Sequence, residues 1–124
     1  MDEPQGIQPE WYENGHLKVR VEFASGIKEG WQREWNGQGE LIAEAFYQKG
    51  QFHGTVLTWW NKDQIKSRAS YDQGKKIGEH AWFAENGTRL RVMHFTQDLL
   101  DGEFKTWYPD GSLQLAQVYK EGHP

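Results

Sequence analysis

The sequence predicts an all-β repeat protein: a single twisted antiparallel meander of about ten strands, built from five 24-residue hairpin repeats. Three observations carry that reading. Gly6, Gly30, Gly54, Gly78 and Gly102 recur at a constant spacing of 24 residues. Two further columns keep the same period and are wholly aromatic: Trp11, Trp35, Trp59, Phe83 and Trp107, then Phe23, Tyr47, Tyr71, Phe95 and Tyr119. Finally, Leu17, Val19, Val21 and Phe23 alternate with polar residues, the period of a half-buried strand.

The remaining glycines reinforce the period. Gly15, Gly39, Gly87 and Gly111 form a second column, and Gly26, Gly50, Gly74 and Gly122 a third. Asp63 and Asp98 stand in the two vacant places, and Asp tolerates the left-handed region better than most residues. Only Gly37 of the 14 glycines falls outside the columns, so chance similarity between segments is excluded and the chain reads as a repeat protein. The units are 6-29, 30-53, 54-77, 78-101 and 102-124, preceded by a loose tail at 1-5 that carries no apolar anchor.

Each unit is expected to be a hairpin. In the last, Pro109 presets φ for a turn, Asp110 suits the next position, and Gly111 can take a left-handed bulge, giving a three-residue loop. Counting outward sets Trp107 opposite Leu113 and Lys105 opposite Leu115, and by the same count Trp11 faces Leu17, Trp35 faces Leu41 and Trp59 faces Ile65. The link between hairpins, Asp72-Gln73-Gly74, is expected to repeat that loop, so that all three glycine columns sit at turns.

Parity then places both aromatic columns on one face, with Leu17, Leu41, Ala45, Leu57, Ile65, Ala69 and Leu113. The columnar tryptophans read as core. The second face starts polar, with Lys18, Arg20, Glu22, Gln32 and Glu34, and turns apolar through Phe46, Phe52, Val56, Trp60, Trp82, Leu90, Val92, Leu100, Phe104, Tyr108 and Val118. In unit four, Arg89 and Arg91 occupy places where aliphatics are expected, so either a bulge flips the parity or both are exposed.

Bulk properties bound the function. At 124 residues there is room for one domain, and a hydrophobic share of 36% is lean. Eighteen aromatics offset it, since each buries roughly 150 to 250 Å². A net charge of −4 argues against a phosphate-backbone binder, so nucleic acid is not an expected partner. The absence of cysteine excludes disulfides and thiolate metal sites, and no segment reaches about 18 apolar residues, so a cytoplasmic protein is expected.

Chemistry-bearing constellations are sparse. His80 and His94 are expected to share the second face, without a third ligand for a metal, and the five histidines read as solvated polar positions. Serines 25, 67, 70 and 112 lack a nucleophile-elbow pattern, and acidic pairs such as Glu79 with Glu103 read as solvated edge charges. No catalytic residue, cofactor or metal site is expected. The candidate partner-binding patch is Trp60, Trp82, Phe104 and Tyr108 with a rim of Trp31, Glu79, Arg91 and His94, because aromatic patches rimmed by charge are typical of protein interfaces.

The motifs Trp11-Tyr12-Glu13-Asn14-Gly15-His16-Leu17, Tyr71-Asp72-Gln73-Gly74-Lys75-Lys76-Ile77-Gly78 and Trp107-Tyr108-Pro109-Asp110-Gly111-Ser112-Leu113 resemble the MORN repeat variant (membrane occupation and recognition nexus), as found in YwqK-type antitoxins of bacteria. Units three and four depart from the motif at Trp59-Trp60-Asn61-Lys62-Asp63 and Trp82-Phe83-Ala84. The resemblance implies a twisted sheet of hairpins without chemistry of its own, acting as an antitoxin or immunity protein that occludes a cognate toxin encoded nearby. The alternative it implies is a scaffold at a membrane surface or in a protein complex, and the acidic balance counts against lipid. Edge strands leave room for an oligomer.

Overall fold

The computed structural model describes residues 6–124; the expected tail at 1–5 lies outside the described residues. Eleven strands follow in chain order: β1 (Gly6–Trp11), β2 (Leu17–Ala24), β3 (Ile27–Trp35), β4 (Leu41–Gln48), β5 (Gln51–Phe52), β6 (Gly54–Asn61), β7 (Gln64–Asp72), β8 (Lys75–Phe83), β9 (Arg89–Thr96), β10 (Leu99–Trp107) and β11 (Leu113–Tyr119). They form one open antiparallel sheet in which each strand pairs with its neighbour in the chain, while the two-residue β5 is a short extension beside β4. The described residues contain no helix.

The hairpin tips follow the turn chemistry. Gly111 N–H donates to Tyr108 O (2.9 Å) and Tyr108 N–H to Ser112 O (2.9 Å), closing the Pro109-Asp110-Gly111 loop. The same pair of bonds closes the tips at Gly15, Gly39 and Gly87. All four of these glycines have positive φ, between 84° and 92°. Unit three differs: Asp63 keeps a negative φ, Asn61 pairs with Gln64, and Asp63 N–H is held by Asn61 Oδ1 (3.0 Å). Asp63 therefore does not substitute for a left-handed glycine.

The links between hairpins are tighter than expected. Asp72 pairs with Lys75 and Ala24 with Ile27, leaving two-residue turns in which both central residues have positive φ, such as Gln73 (48°) with Gly74 (85°). These are type I′ turns, whose twist matches that of the flanking strands. Asp98 (φ 71°) does take the left-handed place here, beside Gln97. Each link after the first also docks on the previous unit: Gly50 N–H donates to Lys28 O, Gly74 N–H to Phe52 O, Asp98 N–H to Lys76 O and Gly122 N–H to Leu100 O.

Bulges alter the face assignment. Trp107 faces Leu113 as expected, but Thr106 faces Leu115 and Lys105 faces Ala116 rather than Leu115, so β11 advances two residues against one of β10. The step recurs in every hairpin, from Leu17 to Val19, Leu41 to Ala43, Ile65 to Ser67 and Arg89 to Arg91. One added residue reverses parity beyond it. Residues paired across a ladder share a face, so the tyrosine column, opposite the opening glycines (Tyr47 with Gly30, Tyr119 with Gly102), lies on the face away from the tryptophan column. Trp35 and Tyr47 are on opposite surfaces, contrary to the single-face expectation.

The opening glycines also sit inside strands rather than at turns. Around Gly30, three residues of β3 answer Glu22 alone, and around Gly102 three residues of β10 answer His94 alone. Gly30 has φ +102°, and a Cβ there would stand 2.3 Å from Glu22 Oε2, the atom that accepts the Trp31 N–H. Here glycine serves a bulge that brings a side chain against the backbone.

With one layer and two faces, little is fully enclosed. Among the described residues only Ala45, His80, Ala81, Val92 and Phe95 are buried. Ala81 and Val92 face each other on the tryptophan face, and His80 and Phe95 touch on the tyrosine face, so the best-packed region is unit four. The columnar tryptophans are not core in the usual sense: they lie half-exposed, and Trp11 is 61% exposed.

Candidate functional site

The tyrosine face is built around a chain of touching rings that crosses the strands. Tyr47 meets Phe52 (4.9 Å between centroids), Phe52 meets Tyr71 (5.0 Å), Tyr71 meets His80 (5.5 Å) and His80 meets Phe95 (4.7 Å). Lys28 and Lys76, which occupy the same place in units one and three, lie over Tyr47 and Phe95. Such ring spacings are those of edge and offset contacts, which stabilise beyond burial alone. Phe52 therefore shares the face of the tyrosines rather than opposing them.

His80, expected to be solvated, is 2% exposed. Burial holds its imidazole below the ordinary range and the nearby Lys76 adds to the depression, against the upward pull of bonds to Ser70 and Ile77. Its Nε2 bonds the Ser70 backbone, 3.0 Å from the carbonyl oxygen and 3.3 Å from the amide nitrogen, with the donor set by the tautomer, and burial favours the neutral ring. Burial, with a smaller contribution from Asp98, pushes the Tyr71 phenol up, so it too stays neutral.

The tryptophan face carries a different pattern. Near the hairpin tips run the half-exposed Trp11, Trp35, Trp59, Phe83 and Trp107 with Leu17, Leu41, Ile65, Arg89 and Leu113 as ladder partners. Beside them lies a mixed-charge row: Arg33 Nε donates to Glu44 (2.8 Å), Arg68 to Glu79, and His94 Nε2 stands 3.6 Å from Glu79. Trp31 packs edge-on against Phe46 (5.1 Å) with Arg33 over its ring.

The sequence-derived patch is thus divided. Trp82, Arg91 and Phe104 share the tyrosine face: Arg91 lies over Trp82 (5.5 Å), while Phe104 pairs with Met93 and its ring meets Tyr119 (5.8 Å). Trp82, Leu90, Arg91, Thr106, Trp107 and Gln114 line a groove at the bulges near the hairpin tips, and Phe104 lies outside it. Glu79, His94 and Trp31 lie on the tryptophan face, because the bulge places His94 opposite Glu79 and sends His80 to the other surface. Arg89 and Arg91 are both exposed, and a bulge is present as well. Trp60 and Tyr108 sit at hairpin tips, 38% and 48% exposed, and Trp60 Nε1–H donates to Phe83 O (2.9 Å) of the next unit. Tyr12 OH donates to Trp35 O in the same manner, so these tip rings lace units together.

Among the described residues, no group of three or more His, Cys, Asp or Glu side chains is placed to hold a metal ion. Sequence reasoning missed Met93 and the burial of His80. The interior glycines of β8 and β10 mark bulges, but three residues against one keep the parity, so they did not signal the change of facing made at the hairpin tips.

A family model described as MORN repeat variant matches residues 4–24 and 100–121, overlapping most of the first and last units. Repeats of this kind suggest a binding or scaffold role and are generally non-enzymatic. Among curated proteins, none matches the chain.

Proposed function

We propose that the chain is a non-catalytic antitoxin or immunity protein that recognises a protein toxin encoded nearby, in the cytoplasm, through the tyrosine face of its sheet. The observation that supports this most is that Trp82, Arg91 and Phe104 share a face that no second layer covers among the described residues. Aromatic and arginine side chains in a shallow groove are the usual anchors of protein recognition. The toxin as partner rests on the resemblance of the hairpin motifs. Glu79, His94 and Trp31, across the sheet, and the tip residues Trp60 and Tyr108 then act at the margin of the contact or on the sheet itself.

Co-expression with the product of the adjacent reading frame tests this. Growth inhibition by that product is expected to be relieved by the native chain and restored by Trp82→Ala combined with Phe104→Ala, with urea unfolding confirming that the variant remains folded. Relief that survives the double substitution in a folded variant would remove this face from the interface.

A further inference from the structure

The tyrosine face carries a second feature, built twice. In unit two, Gln32, Glu34, Ala43, Ala45, Tyr47 and Phe52 line a cavity of about 140 Å³. In unit one, Gln8, Pro9, Glu10, Val19, Val21 and Phe23 line another. Gln8, Glu10, Val19, Val21 and Phe23 are the 24-residue equivalents of Gln32, Glu34, Ala43, Ala45 and Tyr47. Each cavity therefore has an amide and a carboxylate on one strand, a small aliphatic floor, and an aromatic ring at the far end.

The carboxylates are available for a ligand. Neither Glu10 nor Glu34 has an ion pair among the described residues, and Glu34 is met by the Gln32 amide at 3.3 Å. Two cations lie in the neighbourhood and neither pairs with Glu34: Lys28 Nζ donates to Gln32 Oε1 (2.9 Å) and lies over the Tyr47 ring, and Arg33 pairs with Glu44, which also lines the unit-two cavity. In units three to five the corresponding pairs are Val56 with Thr58, His80 with Trp82, and Phe104 with Thr106, so the acidic version is confined to the amino-terminal half. A carboxylate beside an aromatic ring and an aliphatic floor suits a Lys or Arg side chain, whose stem packs on the floor while its head meets the acid.

Spacing narrows the ligand further. The two cavities are two strands apart, and strands about 4.8 Å apart put them about 9.6 Å from each other. A polyproline II segment rises about 3.1 Å per residue and returns to the same side every third residue, about 9.3 Å on. An extended strand repeats its side every about 6.6 Å, which does not match.

We infer that the amino-terminal half of the tyrosine face binds a polyproline II segment of a partner protein that presents basic side chains three residues apart, one to Glu10 and one to Glu34. This rests on the reading of the chain as a protein-binding module and supplies the chemistry of its partner. The net charge of −4 is in keeping with a basic partner and a salt-dependent contact.

A synthetic proline-rich peptide with arginine at every third position is the probe, titrated by calorimetry against the full chain. Binding is expected to weaken at least tenfold in the Glu10→Gln, Glu34→Gln double variant and severalfold in each single variant, and to fall with added salt. A matched peptide with arginine at every second position is expected to bind more weakly, and one with glutamate at every third position not at all. Equal affinity for the two arginine peptides, or native affinity in the double variant, overturns the proposal. Toxin capture that is intact in the double variant overturns this inference alone, whereas peptide binding without any toxin capture overturns the antitoxin reading and leaves this one standing.

Discussion

Units one and four share a backbone and differ in what covers it. Ala81 pairs with Val92 just as Pro9 pairs with Arg20, and Phe95 faces Gly78 just as Phe23 faces Gly6. Yet Ala81 is 0% and Val92 3% exposed, while every residue of β1 is exposed. The repeat dictates pairing and bulges, and the side chains at a few columns decide whether a unit becomes core or remains an open surface. His80 closes the tyrosine face of unit four where Gln8 leaves that of unit one open. The best-packed core and the two acidic cavities are thereby placed in different halves of one continuous sheet.

The sharpest way to break that comparison is to overfill both units at the same place. Ala81→Leu is expected to cost about 2 kcal/mol because the side chain there is fully enclosed, whereas Pro9→Leu on the exposed strand stays within about 0.5 kcal/mol. Urea unfolding of the two variants measures the difference, and similar losses would contradict the division. A smaller effect is expected at the tips. Gly87→Val costs over about 1 kcal/mol, since φ is +89° there, while Asp63→Gly, at a negative φ, costs a few tenths through added chain entropy. A stabilised Asp63→Gly variant would place that residue in the left-handed region after all.

His80 gives the comparison a pH dependence. Its folded-state pKa is depressed by burial, so the folded protein binds fewer protons than the unfolded chain. The stability this contributes is fully present above the unfolded value near 6.5 and is lost as pH falls through the folded value. Unfolding free energy is expected to decline below about pH 6.5 more steeply in the native chain than in His80→Phe. Parallel curves would contradict the buried neutral imidazole. The smallest effect lies in the type I′ links, where Gln73→Asn is expected to stabilise by a few tenths of a kcal/mol because asparagine accepts positive φ more readily. A lowered melting temperature for that variant would argue against the turn type.

The hairpins were legible because the turn residues state their own geometry. Pro109-Asp110-Gly111 names a three-residue loop, and Trp107 opposite Leu113 follows from it by counting. The faces were not legible, because a bulge adds one residue without a residue type of its own: Lys18, Ile42, Lys66, Leu90 and Gln114 fill that place in the five units. One uncounted step separated the two aromatic columns and divided the candidate patch, leaving Trp82 with Arg91 and Phe104 but moving His94 and Glu79 away. The two acidic cavities were hidden for the same reason, since Glu34 and Tyr47 were counted onto opposite faces.

The assignment of faces underlies both the proposed interface and the basic-segment cavities, and ring-to-ring nuclear Overhauser effects test it directly. Contacts of Phe52 with Tyr47 and Tyr71, and of Trp31 with Phe46, are expected, at centroid separations of 4.9, 5.0 and 5.1 Å. Absence of the Phe52 contacts with both tyrosines, together with absence of the Trp31–Phe46 contact, would return the two aromatic columns to one surface and contradict the account.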